Sequence, residues 1–463
     1  MEFLIIAAVN LVVVSLFLVQ RWQARLGRDQ STWFAAGLEA TSRELGIRFG
    51  PRSTASRKAV GECGPFSVST ELRIELIPPQ EGSEVAQRVE YLWASVSGGL
   101  IPQRMSFAPE RDRGDDVLIG DSLFDEIVEV RGEPSVVLAL LDEGVRRKVR
   151  TLVFKGGRLE NGELVWHAPT HYFSHEIPDA LRTLLDLARD ISSTEEGGFC
   201  QRLAHNACKD SVSGVRLWNL LALQEQFAHT LEARDASREG LRDPSPWVRL
   251  SAARFLREGE RPTLEGLVGD PATPDQAASE AIALLAARAP AGEVGPLLVT
   301  VLKTRSGEAR RQAIDELGRL RHGPAFGPLV VLLERSDPRT AAAAAEALGA
   351  LADRRAEPAL LKGVQADARE LRIAAARALG GVGSVGTVEP LLALLDAGRL
   401  DAESRQAIRD AIGAIQSRLA GAEAAQPSLV TGTRESGRLT LAAPGPGPGD
   451  LSPASDPDAD PRT

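Results

Sequence analysis

The sequence predicts a multidomain chain: an N-terminal transmembrane helix, an α+β middle domain, an all-α solenoid of stacked helical pairs and a disordered C-terminal tail. Three observations carry this. Phe3 to Val19 is a 17-residue run without a charge. Between residues 30 and 198, period-two alternation mixes with helical spacing. From 199 to 420 one phrase recurs about every 31 residues, the mark of a stacked supersecondary unit. The expected boundaries are 1–29, 30–198, 199–420 and 421–463. Over 463 residues the net charge is −9 and aromatics make up 5%. That acidic balance argues against a dedicated nucleic-acid binder. Three cysteines exclude a disulfide-built scaffold. The 48 Arg against 6 Lys read as codon bias.

At ~1.5 Å per residue the first run spans ~25 Å, the short end of a bilayer-crossing helix. Trp22 stands at an interfacial position, and Arg21, Arg25 and Arg28 form a basic flank. A cleaved signal peptide fits poorly, because no basic region precedes the run and no small-x-small site follows it before Arg21. The arginines are expected to hold their side in the cytoplasm. This gives a single-pass protein of the inner, cytoplasmic membrane with the bulk of the chain cytosolic.

In the middle region, residues 30–46 suit one helix. Phe66–Thr70 and Leu72–Ile77 alternate as strands, and Val89–Val96 less cleanly. Val117–Ile119 and Ile127–Val130 flank a turn-rich stretch. Val136, Leu140, Leu141, Val145, Val149 and Leu152 recur at helical spacing after Pro134. Asn161-Gly162 marks a hairpin, expected between Leu152–Phe154 and Leu164–Trp166. A last helix is expected from about Pro178 to Ile191.

In the repeats, the phrase is a small apolar residue, Arg, two variable residues, a small pair, then Ala/Leu and Gly. It is clearest at Ala309-Arg310…Leu317-Gly318 and Leu371-Arg372…Leu379-Gly380. Its anchors are Leu223, Leu256, Leu285, Leu317, Leu348, Leu379 and Ile412. Between copies lies a second apolar helix, as in Val294–Leu302 and Val388–Leu395. Small residues let helices approach closely while leucine fills the seam. This pattern resembles the short HEAT-like repeats also seen in phycobilisome-lyase-type proteins. The resemblance implies that Asp210 to Arg216 and Asp243 to Arg249 form a structural ladder across repeats, broken at Ala278 and Ala341. The middle region, through Ile119-Gly-Asp-Ser-Leu-Phe-Asp125, is similar to an uncharacterised domain. That domain lies between an anchor and HEAT-like repeats in bacterial membrane proteins.

Each chemical motif has a structural reading. Gly381-Val-Gly-Ser-Val-Gly386 follows a helix, so its glycines are expected as caps and turns and not as a dinucleotide loop. His171/His175 and Cys200, His205 and Cys208 are of metal-ligating type but match no common zinc spacing. His175-Glu176 lies outside the repeats, unlike the His-Glu pairs of HEAT-like metal hydroxylases. Asp115, Asp116, Asp121 and Asp125 are expected in turns and caps. Arg146-Arg147-Lys148…Arg150 is expected as a solvated face, with anionic lipid as an alternative contact. In the tail, three apolar islands, at 428–430, 438–441 and 450–452, could add as strands to a partner's sheet edge.

The reading that follows is a membrane-anchored, cytosol-facing, non-enzymatic scaffold that binds a protein partner through its repeat groove. No catalytic residue, cofactor or metal is assigned, and oligomeric state is left open. Candidate groove residues, assigned to the second helices, are Arg311, Glu316 and Arg319. The alternative is a metal- or cofactor-dependent enzyme or lyase-like protein using the middle domain or the Cys200/His205/Cys208 cluster.

Overall fold

The computed structural model describes residues 32–51, 57–77, 87–110, 116–171, 173, 175–192, 196–397 and 400–424. The expected anchor, with Arg21, Trp22, Arg25 and Arg28, and the tail islands lie outside the described residues. Among the described residues no helix is long and apolar enough to cross a membrane. The chain divides into two compact units, ending and beginning at Leu267 and Val268.

In the first unit, residues 32–45 form α1. The strands β1 (Arg48–Phe49), β2 (Lys58–Cys63), β3 (Phe66–Ile77) and β4 (Gln87–Gly98) follow as an antiparallel meander. The two alternating runs about Leu72 are one strand of 12 residues. Then come β5 (Ser106–Pro109), α2 (Ser122–Asp125), β6 (Val128–Arg131), α3 (Pro134–Leu140), α4 (Glu143–Phe154), β7 (Arg158–Glu160), β8 (Glu163–Pro169) and α5 (Glu176–Ile191). The sheet order is β1-β2-β3-β4-β8-β7-β5-β6. Alternation sends Phe66, Val68, Leu72, Leu92, Ala94, Val96 and Leu164 into the core, against the apolar side of α5.

Two expectations need correction. The helical run after Pro134 is two helices. The Asp142 carboxylate accepts a hydrogen bond from Val145 N (2.9 Å), starting a fresh helix while the apolar spacing continues. Leu152–Phe154 is the last turn of α4 and not a strand. The hairpin turn itself stands, with Asn161 and Gly162 at φ +52° and +73°, but it joins β7 to β8. Val117–Ile119 forms no strand, although Val117 N donates to Val130 O (2.7 Å).

The chain then turns wholly helical, with α6 (Glu196–Lys209), α7 (Ser213–Gln226), α8 (Leu231–Gly240), α9 (Pro246–Phe255) and α10 (Arg261–Gly269). The α+β core runs without interruption into these helices: Leu203, Leu220, Leu223, Val248 and Ala252 belong to the same buried cluster as Phe34 and Val96. Arg146 of α4 makes the polar join. Its guanidinium is bidentate to Asp210 (2.7 and 3.0 Å) and its Nε donates to Asp121 (3.0 Å). Side-chain exposure is 3% for Arg146 and 1% for Asp210. Burial acts to lower the Arg146 pKa, but Asp210 and Asp121 more than offset it and hold the group above its usual value. Arg146 therefore leaves the basic run expected to face solvent or lipid. Of its neighbours, Arg147 pairs with Glu143 and Lys148 with Asp190.

The second unit continues with α11 (Asp275–Arg288), α12 (Ala291–Thr304), α13 (Gly307–Arg319), α14 (Phe326–Arg335), α15 (Pro338–Leu351), α16 (Glu357–Val364), α17 (Arg369–Val382), α18 (Val388–Asp396) and α19 (Ala402–Ala424). Phrase-bearing helices alternate with the apolar ones. Single 3₁₀ turns, Gly323–Ala325, Arg354–Ala356 and Val385–Thr387, enter α14, α16 and α18.

Candidate interaction surface

Within the second unit α11, α13, α15, α17 and α19 stack directly on one another. The phrase explains why. A Cβ at Gly318 would lie 2.8 Å from Ala347 Cα, one at Gly349 2.9 Å from Ala378 Cα, and one at Gly380 3.3 Å from Ala411 Cα. Glycine against alanine brings the backbones together, and the anchors Leu317, Leu348 and Leu379 are fully buried beside them. The other row, α12, α14, α16 and α18, is spaced more loosely.

The ladder is a fixed device. In three copies Arg Nη1 binds carbonyls five and six residues back: Arg216 on Asp210 and Ser211, Arg249 on Asp243 and Pro244, Arg372 on Ala366 and Asp367; Arg310 keeps the residue type, but its Nε is buried without a hydrogen-bond partner. The rest of the fork reaches the next repeat's aspartate, Arg216 to Asp243 (2.7 and 2.8 Å) and Arg372 to Asp401 (2.7 Å). Asp401 is held far below the usual carboxylate range by Ser404 and Arg372. Where alanine replaces the arginine, Ala278 and Ala341 are buried. There Asp275 accepts instead from the backbone N–H groups of Glu308 and Ala309 (2.6 and 3.3 Å).

Arg311, Glu316 and Arg319 all lie on α13, a phrase-bearing helix of the close-packed row. They do not form one open set. Glu316 is covered, 13% exposed, between Arg319 (2.6 Å) and Gln312 (3.2 Å). Arg319 also donates to Ala286 O of the preceding phrase helix (3.1 Å). Sequence reasoning missed Asp315, Glu346 and Arg377, which are exposed at the same position of successive helices. Their signal was the spacing of 31 residues, read there only for apolar anchors. Partial desolvation of its carboxyl, then Glu346 and Glu316, raise Asp315 from its ordinary 3.8 to about 6, with Arg311 opposing, although the residue as a whole is exposed. Such a group stabilises the fold at low pH, and that contribution fades as pH rises from 3.8 to about 6. Asp315 keeps solvent contact, which screens part of the effect. Asp315→Asn is therefore expected to flatten the melting temperature against pH across this window and to raise it at neutral pH.

The cysteine–histidine set is not a site. Cys200, His205 and Cys208 share α6, but His205 is exposed while Cys200 is buried with its thiol towards Thr230 Oγ1 (3.7 Å). Burial, then Glu239, push the Cys208 thiol up to about 12. Among the described residues no group of three His, Cys, Asp or Glu could hold a metal. Cys208 is expected to resist iodoacetamide in the native protein at neutral pH and to react once unfolded, as read by mass spectrometry. His171 and His175 sandwich the Phe173 ring, with centroids 6.0 and 5.6 Å away. Asp121 caps α2 and Asp125 accepts from Ile119 N and Gly120 N, while Asp115 lies outside the described residues. Arg418 donates to the carbonyls of Gly381 and Gly383, so that glycine turn serves packing.

The open face of the sheet carries a stack that sequence reading also missed, because it spans three strands. Trp93 lies between Arg73 (4.3 Å) and His167 (4.3 Å). It borders a trough of about 490 Å³ floored by Ser67, Ser69, Ser95 and Ser97. Burial, then Arg158, lower the His167 pKa, favouring the neutral ring.

Residues 326–413 match the HEAT-repeat family. No curated protein matches the chain. Among solved structures, the complex of CpcE and CpcF of phycocyanin lyase from Nostoc sp. PCC7120 is 18% identical over 47% of this chain and 94% of that one, TM-score 0.28. A Kap95p complex with RanGDP is 12% identical over 62% of this chain and 44% of that one, TM-score 0.36. An engineered protein is 20% identical over 49% and 94%, TM-score 0.25.

Proposed function

We propose that this chain is a membrane-anchored, cytosol-facing scaffold whose HEAT-type helices bind a protein partner along their close-packed row. The observation that carries the reading is the register of that row. Gly318, Gly349 and Gly380 draw the helices together, and Asp315, Glu346 and Arg377 are presented once per helix. A regular line of charges on a stiff stack suits an extended protein segment, and nothing in it assembles a nucleophile, base and orienting group. The anchor reading rests on the uncharged Phe3–Val19 run and its arginine flank.

Photo-crosslinking in native membranes tests this. A benzophenone side chain at 315, 346 or 377 is expected to capture one protein in common. The same group at Val331 or Leu392, exposed on the other row, is expected not to. Capture from the Val331 and Leu392 positions alone would move the binding surface and refute this assignment.

A further inference from the structure

One end of the α+β domain carries apolar side chains that no described element covers. Strand β2 pairs with β3 only as far as Glu71, and β8 with β4 only as far as Tyr91, yet the β3–β4 pairing continues to Ile77 and Gln87. The core-facing row of β3 thus runs on into Ile74 and Leu76, which are 42% and 71% exposed. Beside this arm, Thr170 N donates to Glu90 O (3.0 Å), and the chain passes into the His171–Phe173–His175 stack, with Phe173 56% exposed. Trp33 of α1 donates from Nε1 to Phe173 O (3.1 Å). Helices α1 and α5 run parallel, with Gly37 against Ile177 and Glu44 paired with Arg182. Ile74, Leu76, Phe173 and Trp33 therefore share one end.

We propose that this end rests on the surface of an anionic lipid bilayer, with Ile74, Leu76 and Phe173 entering the interface. The inference rests on the anchor reading above. The occupant follows from where the chain comes from: the described part of α1 starts here, and 12 residues separate it from Val19 in the sequence. At ~3.5 Å per residue they reach ~40 Å at most, so an anchored chain keeps this end within that distance of the headgroups. Arg21, Arg25 and Arg28 on that connection attract anionic lipid. Aromatic rings and isolated apolar side chains are what the interfacial layer accepts.

The test uses the full chain with Cys63→Ser, reconstituted into vesicles of equal parts phosphatidylcholine and phosphatidylglycerol carrying acyl-chain nitroxides. A bimane is attached at Leu76→Cys, or at Val60→Cys on the open sheet face. Expected is quenching several-fold stronger at 76 than at 60, reduced by Phe173→Asp. Vesicle flotation without preferential quenching at 76 overturns the inference and leaves the anchor reading standing. Failure to float overturns both. A label at 76 already shielded in detergent indicates a protein neighbour and also overturns it.

Discussion

Replacing Arg146 by alanine is expected to destabilise the first unit by about 3–5 kcal/mol, the usual cost of stranding a buried charge. Asp210 would keep its backbone bond from Val212 N (2.9 Å) but lose both guanidinium bonds in a site without water access. Asp121 would lose its guanidinium bond too and keep only its cap bond from Phe124 N (3.3 Å). Arg146→Lys is expected to recover little, because one ammonium cannot span Asp210, Asp121 and Leu141 O as the fork does. Arg146→Met combined with Asp210→Asn is expected to recover much of the loss, since the most deeply buried charge is gone and Asp121, 13% exposed, retains some solvent. Urea unfolding of the four proteins, followed by far-UV circular dichroism, gives the comparison. If Arg146→Ala unfolds within about 1 kcal/mol of the parent, the pair is no more than a surface bridge and the join between sheet and helices is apolar alone.

This residue also shows where sequence reading stops. The pairing of Arg216 with the next aspartate was legible because the repeat fixes its spacing. Arg146 is 64 residues from Asp210 and sits in a basic run whose neighbours do face solvent. Nothing local separates it from Arg147. The hairpin at Asn161-Gly162 was legible for its turn chemistry, yet its first strand was misplaced. The strand Arg158–Glu160 has a single apolar residue, Leu159, whereas Leu152–Phe154 is wholly apolar and reads as strand out of context. Glu316 was chosen as exposed from its charge, and its partners Gln312 and Arg319 on the same helix cover it. Asp315, one position away, was overlooked because its importance lies in Glu346 on the next helix, a relation visible only once the repeats are in register.

The register can be tested by the sign of a small substitution. Glycine to alanine inside a helix ordinarily stabilises by about 1 kcal/mol, by reducing the freedom of the unfolded chain. Gly413 in α19 has nothing within 4 Å of the added carbon, so Gly413→Ala is expected to show that gain. Gly349→Ala is expected to do the opposite. Its new Cβ would lie 2.9 Å from both Cα and Cβ of Ala378, and a backbone atom cannot rotate away. Separating α15 from α17 loosens the leucine seam, an overpacking cost of about 1–3 kcal/mol. Gly318→Ala should behave like Gly349→Ala, and Gly380→Ala, at 3.3 Å, should fall between them and Gly413→Ala. Ala378→Gly should relieve Gly349→Ala only in part, since the clash with the backbone of residue 378 persists. Equilibrium unfolding in urea ranks the four single variants. The same spreading alters the distance between Glu346 and Arg377, so a partner that reads the row of charges should bind Gly349→Ala more weakly even where the helices remain folded. Equal gains at Gly349 and Gly413 would mean that the helix backbones do not touch, and the stiff, evenly spaced surface on which the scaffold reading depends would be lost with them.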